Sequence, residues 1–253
     1  MTTPVILIGS DATPTYNENA APVVLDNSLA LSDADAPAVG ADIGSATVTI
    51  TGGFIAGDVL AADATGTAIA VSYSNGVLTL SGADTLADYQ AVLKTITFQS
   101  SSDNPTDFGA AATRTIEWVA TDLNGESSVP QTLTLSVNAS NDAPTATAQD
   151  VSATRGQVII ASSLFQASDA DNASLTYFFY DNSADPTSGH FTVNGVVQAA
   201  GTTFAVSAAQ LAQTTFTAGS FNSDDLFVNV HDGAAFSGHR NSTSTFPPIA
   251  RRR

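Results

Sequence analysis

The stretch Asn138-Ala-Ser-Asn-Asp-Ala-Pro144 decides how this chain is organised. Just before it, Leu133, Leu135 and Val137 alternate with Thr134 and Ser136, the period of a half-buried strand. Pro144 has no amide proton to give to a ladder, and it biases Ala143 toward an extended backbone. A strand therefore ends here and a short, stiff, oxygen-rich connector begins. Similar landmarks recur on both sides of it, which marks it as a domain junction. Asn138, Asn141, Asp142 and the carbonyls between them also make it a place where calcium is expected to be held.

Working outward toward the N-terminus, the pattern predicts an all-β unit over about 15–142. Ala46, Val48 and Ile50 alternate with Thr47, Thr49 and Thr51. Segments 68–73 and 77–80 flank Asn75-Gly76, a strong short-range hairpin signal. Leu86, Tyr89 and Leu93 fall at helical spacing behind Thr85 and Asp88, which resemble a capping pair. Strands are expected again at 95–99 and 115–121, where Ile116, Trp118 and Ala120 share a face. Residues 1–14 read as a leader or the end of a preceding unit.

Toward the C-terminus the order repeats over about 143–238. Strand-like segments 157–161 and 174–180 come first, and a second Asn-Gly turn, Asn194-Gly195, joins 191–193 to 196–198. Ser207 and Gln210 form a capping box opening a short turn at 208–212. Strands are expected at 214–217 and 226–230. Short strands with frequent turn signals and little helix predict tandem β-sandwiches of Ig-like type. The tail from His239, with Arg240, Pro247-Pro248 and Arg251-Arg252-Arg253, is expected to be disordered.

The chain has 253 residues, no cysteine, and a formal net charge of −17 from 24 Asp and Glu against 7 Lys and Arg. Disulfides and thiolate metal sites are excluded. Nucleic acid is an improbable partner, because phosphates need a basic surface. The acidity suits a solvated surface or one that collects cations. No apolar run approaches the ~20 residues of a membrane span. Val5-Ile-Leu-Ile8 is too short an apolar run, with no basic region before it, to be expected to act as a secretory signal.

Asp33-Ala34-Asp35 and Asp169-Ala170-Asp171 each place two carboxylates one residue apart. In an extended segment such side chains project to one side and repel, unless a cation lies between them. Calcium takes six to eight oxygens in flexible geometry, carboxylates and carbonyls alike. Ordinary loop polarity competes as the reading of a single copy; two copies in matching places, one of them just after the junction, favour metal.

The wording around the junction resembles a known family. Thr121-Asp-Leu-Asn-Gly125, Pro130, the following strand and Asn141-Asp-Ala-Pro144 are similar to the end of a cadherin repeat, after which the next domain contributes Asp-x-Asp. Ala46-Thr-Val-Thr-Ile-Thr-Gly52, Gly76-Val-Leu-Thr-Leu-Ser-Gly82, Tyr89-Gln-Ala-Val-Leu93 and Ser102-Asp-Asn-Pro105 resemble cadherin-like repeats of large bacterial surface adhesins. The resemblance implies a calcium-rigidified adhesive or spacer module, not an enzyme, in an extracellular or cell-surface protein. It implies Asn141, Asp142, Asp169 and Asp171 as junction ligands, with Asp122 from the first domain and Glu18 as a ligating glutamate. It also implies homophilic, receptor or glycan partners, and export by a C-terminal signal from a longer chain. The sequence departs from the pattern in having Ala139 where the linker usually carries an acid, which implies fewer ions.

The competing class is a carbohydrate-binding accessory module, with Trp118 and the aromatics of 177–180 as a stacking platform, although aromatics alternating on strands are more often core. His190, His231 and His239 lack zinc spacing, and His231, off the face of Val228 and Val230, is expected to meet solvent. No Gly-x-Ser-x-Gly elbow is present. Asn138, Asn172 and Asn241 head Asn-x-Ser/Thr sequences, which matter only in a glycosylating pathway.

Overall fold

The protein is described from a computed structural model that covers residues 3–9, 12–34, 42–148, 151–183, 185–220, 224–237 and 244–245. Asp35, His239, Asn241 and the arginines of the tail lie outside the described residues. The chain divides into two compact units, Met1–Ser140 and Asn141–Arg253. The division falls inside the connector singled out above, just before Asn141.

Unit 1 contains β1 (Val5–Leu7), β2 (Thr15–Asn17), β3 (Val23–Val24), β4 (Ala30–Ser32), β5 (Ile43–Gly52), β6 (Asp58–Ala61), β7 (Ala70–Ser74), β8 (Val77–Asp84), α1 (Leu86–Lys94), β9 (Thr97–Ser100), β10 (Thr113–Asp122) and β11 (Gln131–Asn138). Six strands in the order β2-β11-β10-β5-β8-β7 form one sheet; β3-β9-β6 form a second, and β1 pairs with β4. Register puts Ile116 opposite both Leu133 and Ile50, Trp118 opposite Val48, and Val48 opposite Leu78, so the apolar phase of every central strand faces one way. Phe98 and Leu60 from the second sheet, and Tyr89, Val92 and Leu93 from α1, close the same core. Trp118 lies inside it, 1% exposed. It is core, as its strand phase predicts, and is unavailable as a sugar platform.

Local chemistry accounts for the joints. Asn75 and Gly76 both have positive φ, 47° and 83°, the primed turn whose twist matches its flanking strands. Thr85 accepts the Asp88 amide at 3.1 Å and caps α1. Residues 1–14 are no mere leader: Ile6 is buried, and β1 runs antiparallel to β4 with Val5 opposite Ser32. Strands of two or three residues show no readable period, which is why β1, β3 and β4 escape a sequence reading.

Unit 2 contains β12 (Thr145–Ala148), β13 (Val158–Ile160), β14 (Phe165–Ser168), β15 (Thr176–Asp181), β16 (His190–Val193), β17 (Val196–Val197), β18 (Phe204–Ser207), α2 (Ala208–Leu211), β19 (Thr214–Thr217), β20 (Leu226–His231) and β21 (Ser244–Thr245). Its sheets run β13-β19-β16-β17 and β18-β15-β20-β21, with β12 paired to β14. Between them lies an aromatic core in which Phe179, Phe191, Phe204 and Phe216 meet at ring distances of 5.1–5.7 Å. Ser207 and Gln210 make the reciprocal bonds of a capping box. Both units are thus all-β sandwiches, each with one short α-helix among the described residues, and unit 2 adds a 3-10 turn at Ala161–Ser163.

His231 meets solvent in part. It lies on the outer face of β20 but packs under Phe236, ring centres 4.3 Å apart, and its Nδ1 accepts the Gly233 amide. A hydrophobic residue after the strand folds back over it, which strand phase alone does not reveal.

Candidate metal centre

β12 and β14 bring two loops together at the end of unit 2 where the chain comes in. Thr145 is opposite Ser168, so the residues before Thr145 meet those after Ser168. The turn that follows β20 reaches the same end. Asn141 Nδ2 donates to the Asp232 carboxylate at 2.9 Å, and the Asp142 amide donates to Asp171 at 3.3 Å. Asn172 Nδ2 donates to Asn141 Oδ1 and to Asp171, each at 3.1 Å. Asn141, Asp142, Asp169 and Asp171 therefore converge, and Asp232 and Asn172 join them. Asp232 stands in His231-Asp-Gly233, a shorter relative of the Asp122 turn, and that likeness is the sequence signal that finds it.

The oxygens there are unevenly satisfied. Asp169 Oδ1 accepts the amides of Asp171 and Asn172 at 3.1 and 2.7 Å. Asp169 Oδ2 and Asp142 Oδ2 are buried with no hydrogen-bond partner among the described residues. Burial, then its contact with Asp169, pushes the Asp171 carboxyl above its ordinary value. Burial alone would raise Asp232 as well, but donors from Ala235, Asn141 and Ala234 bring it below its ordinary value. One wall of this end thus stays ionised while its neighbours repel, an arrangement that a hard dication relieves.

Glu18 sits at the end of unit 1 where β11 finishes. Its backbone amide donates to Asn138 O at 2.9 Å, and its Oε2 accepts the Ser140 amide at 2.6 Å. The residue is 8% exposed, and its Oε1 is buried without a hydrogen-bond partner among the described residues. Asp103, in the loop after β9, offers a carboxylate oxygen within 4.8 Å of one of Glu18. Asp103 stands in Ser102-Asp-Asn-Pro105, 85 residues from Glu18, and the antiparallel β3–β9 pairing, Val23 opposite Phe98, runs the segment before β3 toward the one after β9.

Two expected ligands lie elsewhere. Asp122 is not at the connector end of unit 1. Thr113 pairs with Ser136 and Trp118 with Gln131, so Asp122 is at the opposite end of β10 from Asn138, about 30 Å along the strand. Its Oδ1 accepts the amides of Asn124 and Glu126 at 2.9 and 2.8 Å, and its own turn explains its burial. Asp33 follows Ser32 on the β1–β4 pair, a different pair of strands from the one that carries Glu18.

No family model matches this chain, and no curated protein matches it. Among solved structures it is similar to chicken VE-cadherin EC1-2, at 15% identity and a TM-score of 0.31, covering 96% of this chain and 98% of that one. It is similar to the titin domains Z1Z2 in complex with telethonin, at 15% identity and a TM-score of 0.31, over 100% and 98% of the two chains. Drosophila N-cadherin EC1-3 is matched at 16% identity and a TM-score of 0.26, over 99% and 67%. The sandwich architecture rests on the strand order and registers above, not on these scores.

Proposed function

We propose that this protein is a calcium-binding adhesive or spacer module of an extracellular or cell-surface protein. The observation that carries the reading is a set of buried carboxylate oxygens without donors among the described residues: Asp142 Oδ2 and Asp169 Oδ2 in unit 2, and Glu18 Oε1 in unit 1. A buried carboxylate oxygen left unpaired is costly in free energy, and a calcium ion removes that cost by direct coordination. Asn141, Asp142, Asp169, Asp171 and Asp232 would hold the ion of unit 2; Glu18 and Asp103 would contribute to one in unit 1. Calcium supplies positive charge and a coordination shell, nothing chemical. The protein contributes the oxygens and the connector that carries two of them, so binding stiffens residues 141–144 against unit 2.

Extracellular calcium modules bind at about 10⁻⁴–10⁻³ M, concentrations met outside a cell and not in its cytosol. The glycan-binding alternative loses its tryptophan to the core, and Phe178 packs on Phe236 with ring centres 5.3 Å apart. Thermal unfolding with calcium and with chelator tests the proposal, on wild type and on Asp169→Ala with Asp171→Ala. Calcium should raise the wild-type midpoint and raise that of the double variant much less. Equal shifts would return Asp-x-Asp to loop polarity. A polysaccharide pull-down that succeeds in chelator would favour the glycan reading.

A further inference from the structure

Arg114 is 0% exposed, and all five of its N–H donors are used. Nε and Nη2 form a fork onto the Asp58 carboxylate at 2.5 and 3.2 Å. Nη2 also donates to Pro105 O at 2.6 Å, and Nη1 to Ala111 O at 2.7 Å and Thr113 O at 3.4 Å. The guanidinium carbon lies 5.9 Å from the centre of the Phe98 ring. One side chain thus grips the loop between β9 and β10 near both of its ends.

That loop needs gripping. Asp107, Phe108 and Gly109 are consecutively left-handed, with φ of 47°, 55° and 87°. L-residues avoid this conformation, and a bulky, exposed phenylalanine gains little from it. Strain of this kind persists only where surrounding bonds over-determine it. Local bonds help, from the Phe108 amide to Asn104 Oδ1 and from the Ala111 amide to Thr106 O. Backbone bonds hold the loop's two ends, from the Ser101 amide to Gly57 O and from the Val137 amide to Ala112 O, and between them Arg114 reaches Pro105 O and Ala111 O.

Asp103 lies between the two anchored points. On one side Ser100 pairs with Asp58 in the β6–β9 ladder; on the other, Pro105 O is held by Arg114, which Asp58 itself orients. We infer that Arg114 is a positioning residue for the cation site of unit 1, presetting Asp103 opposite Glu18 without touching the ion. The inference rests on the reading of Glu18 and Asp103 as calcium ligands. Lysine cannot replace arginine here: its three donors share one nitrogen and cannot form the Asp58 fork and reach Pro105 O and Ala111 O together.

The test uses the full chain carrying Asp169→Ala and Asp171→Ala, so that calorimetry reads unit 1 alone, with Arg114→Lys and Glu18→Gln added separately. Residues that orient metal ligands typically change affinity by 10- to 100-fold when replaced. Arg114→Lys should therefore weaken calcium binding at least about tenfold while Trp118 emission stays native. Amide exchange at Phe108, Gly109 and Ala111 should be slow in calcium-free wild type and fast in Arg114→Lys. Binding as tight in Arg114→Lys as in its parent, with Glu18→Gln abolishing it, overturns the positioning role alone. Binding unaffected by Glu18→Gln overturns the site and the inference with it. Should Arg114→Lys not fold, the wild-type exchange decides: amides that are fast without calcium and slow with it show that the ion, not Arg114, orders the loop.

Discussion

In unit 1 the buried carboxylate of Asp58 meets the guanidinium of Arg114, and every donor of that cation finds an acceptor. In unit 2 Asp181 is as deeply buried, 3% exposed, and the charges beside it are those of Asp224 and Asp225. Arg155 is the sole lysine or arginine among the described residues of unit 2. The first unit neutralises its deepest acid internally. The second sets Asp181 against the Ser183 amide and the charges of two further acids. Its stability should therefore respond to ionic conditions, while that of unit 1 should respond most to mutation of its own pair.

The largest expected effect breaks the self-sufficient half of this contrast. Asp58→Ala leaves Arg114 buried without its counter-charge, which should cost about 3–5 kcal/mol. Denaturant unfolding followed by Trp118 fluorescence, which reports unit 1 alone, should show the loss; an unchanged midpoint would mean that solvent reaches Arg114. Next comes the ion-dependent half. Calcium at a hundredfold excess over its dissociation constant should stabilise the site it fills by about 2.7 kcal/mol. In unit 2 that gain, read by calorimetric melting, should vanish in Asp169→Ala with Asp171→Ala. Ser207→Ala should cost about 1 kcal/mol by removing the α2 cap, an effect independent of calcium and pH that separates local from ionic contributions.

The smallest effect concerns pH. Burial, with the charges of Asp224 and Asp225 behind it, holds the Asp181 carboxyl above its ordinary 3.8, against the bonds from Ser183. A group raised in the folded state contributes stability below its unfolded pKa, and that contribution is lost as pH rises through the folded pKa. Asp181→Asn keeps an acceptor for the Ser183 amide and removes the ionisation. It should stabilise unit 2 at neutral pH, with the advantage shrinking as pH falls through the raised pKa. An advantage that is constant with pH would place the gain elsewhere.

Much of this architecture is legible in the sequence because its signals are local. Alternation fixes β5, β10 and β11, Asn75-Gly76 and Asn194-Gly195 fix two hairpins, and Thr85 and Ser207 fix two helix starts. The site is legible where likeness between the halves exposes it, as at Asp169 and Asp171. It is hidden where pairing sets position. Asp122 shares the repeat-end wording with the junction, yet β11 lies between them and the antiparallel β10–β11 pairing leaves Asp122 at the far end of the sheet. Asp103 and Glu18 are brought together by the long-range antiparallel pairing of β3, only two residues long, with β9. Arg114 carries no signal at all, since a lone arginine in a strand reads as a solvated charge until the fold buries it.

The measurement closest to the central claim is a calorimetric calcium titration of the wild-type chain, of Glu18→Gln, and of Asp169→Ala with Asp171→Ala, on protein freed of metal by chelator. The account predicts binding in the wild type at about 10⁻⁴–10⁻³ M. Glu18→Gln should lose the part of it that belongs to unit 1, and the double variant the part that belongs to unit 2. A wild type that takes up no calcium in this range, or variants whose isotherms overlay that of the wild type, would contradict it.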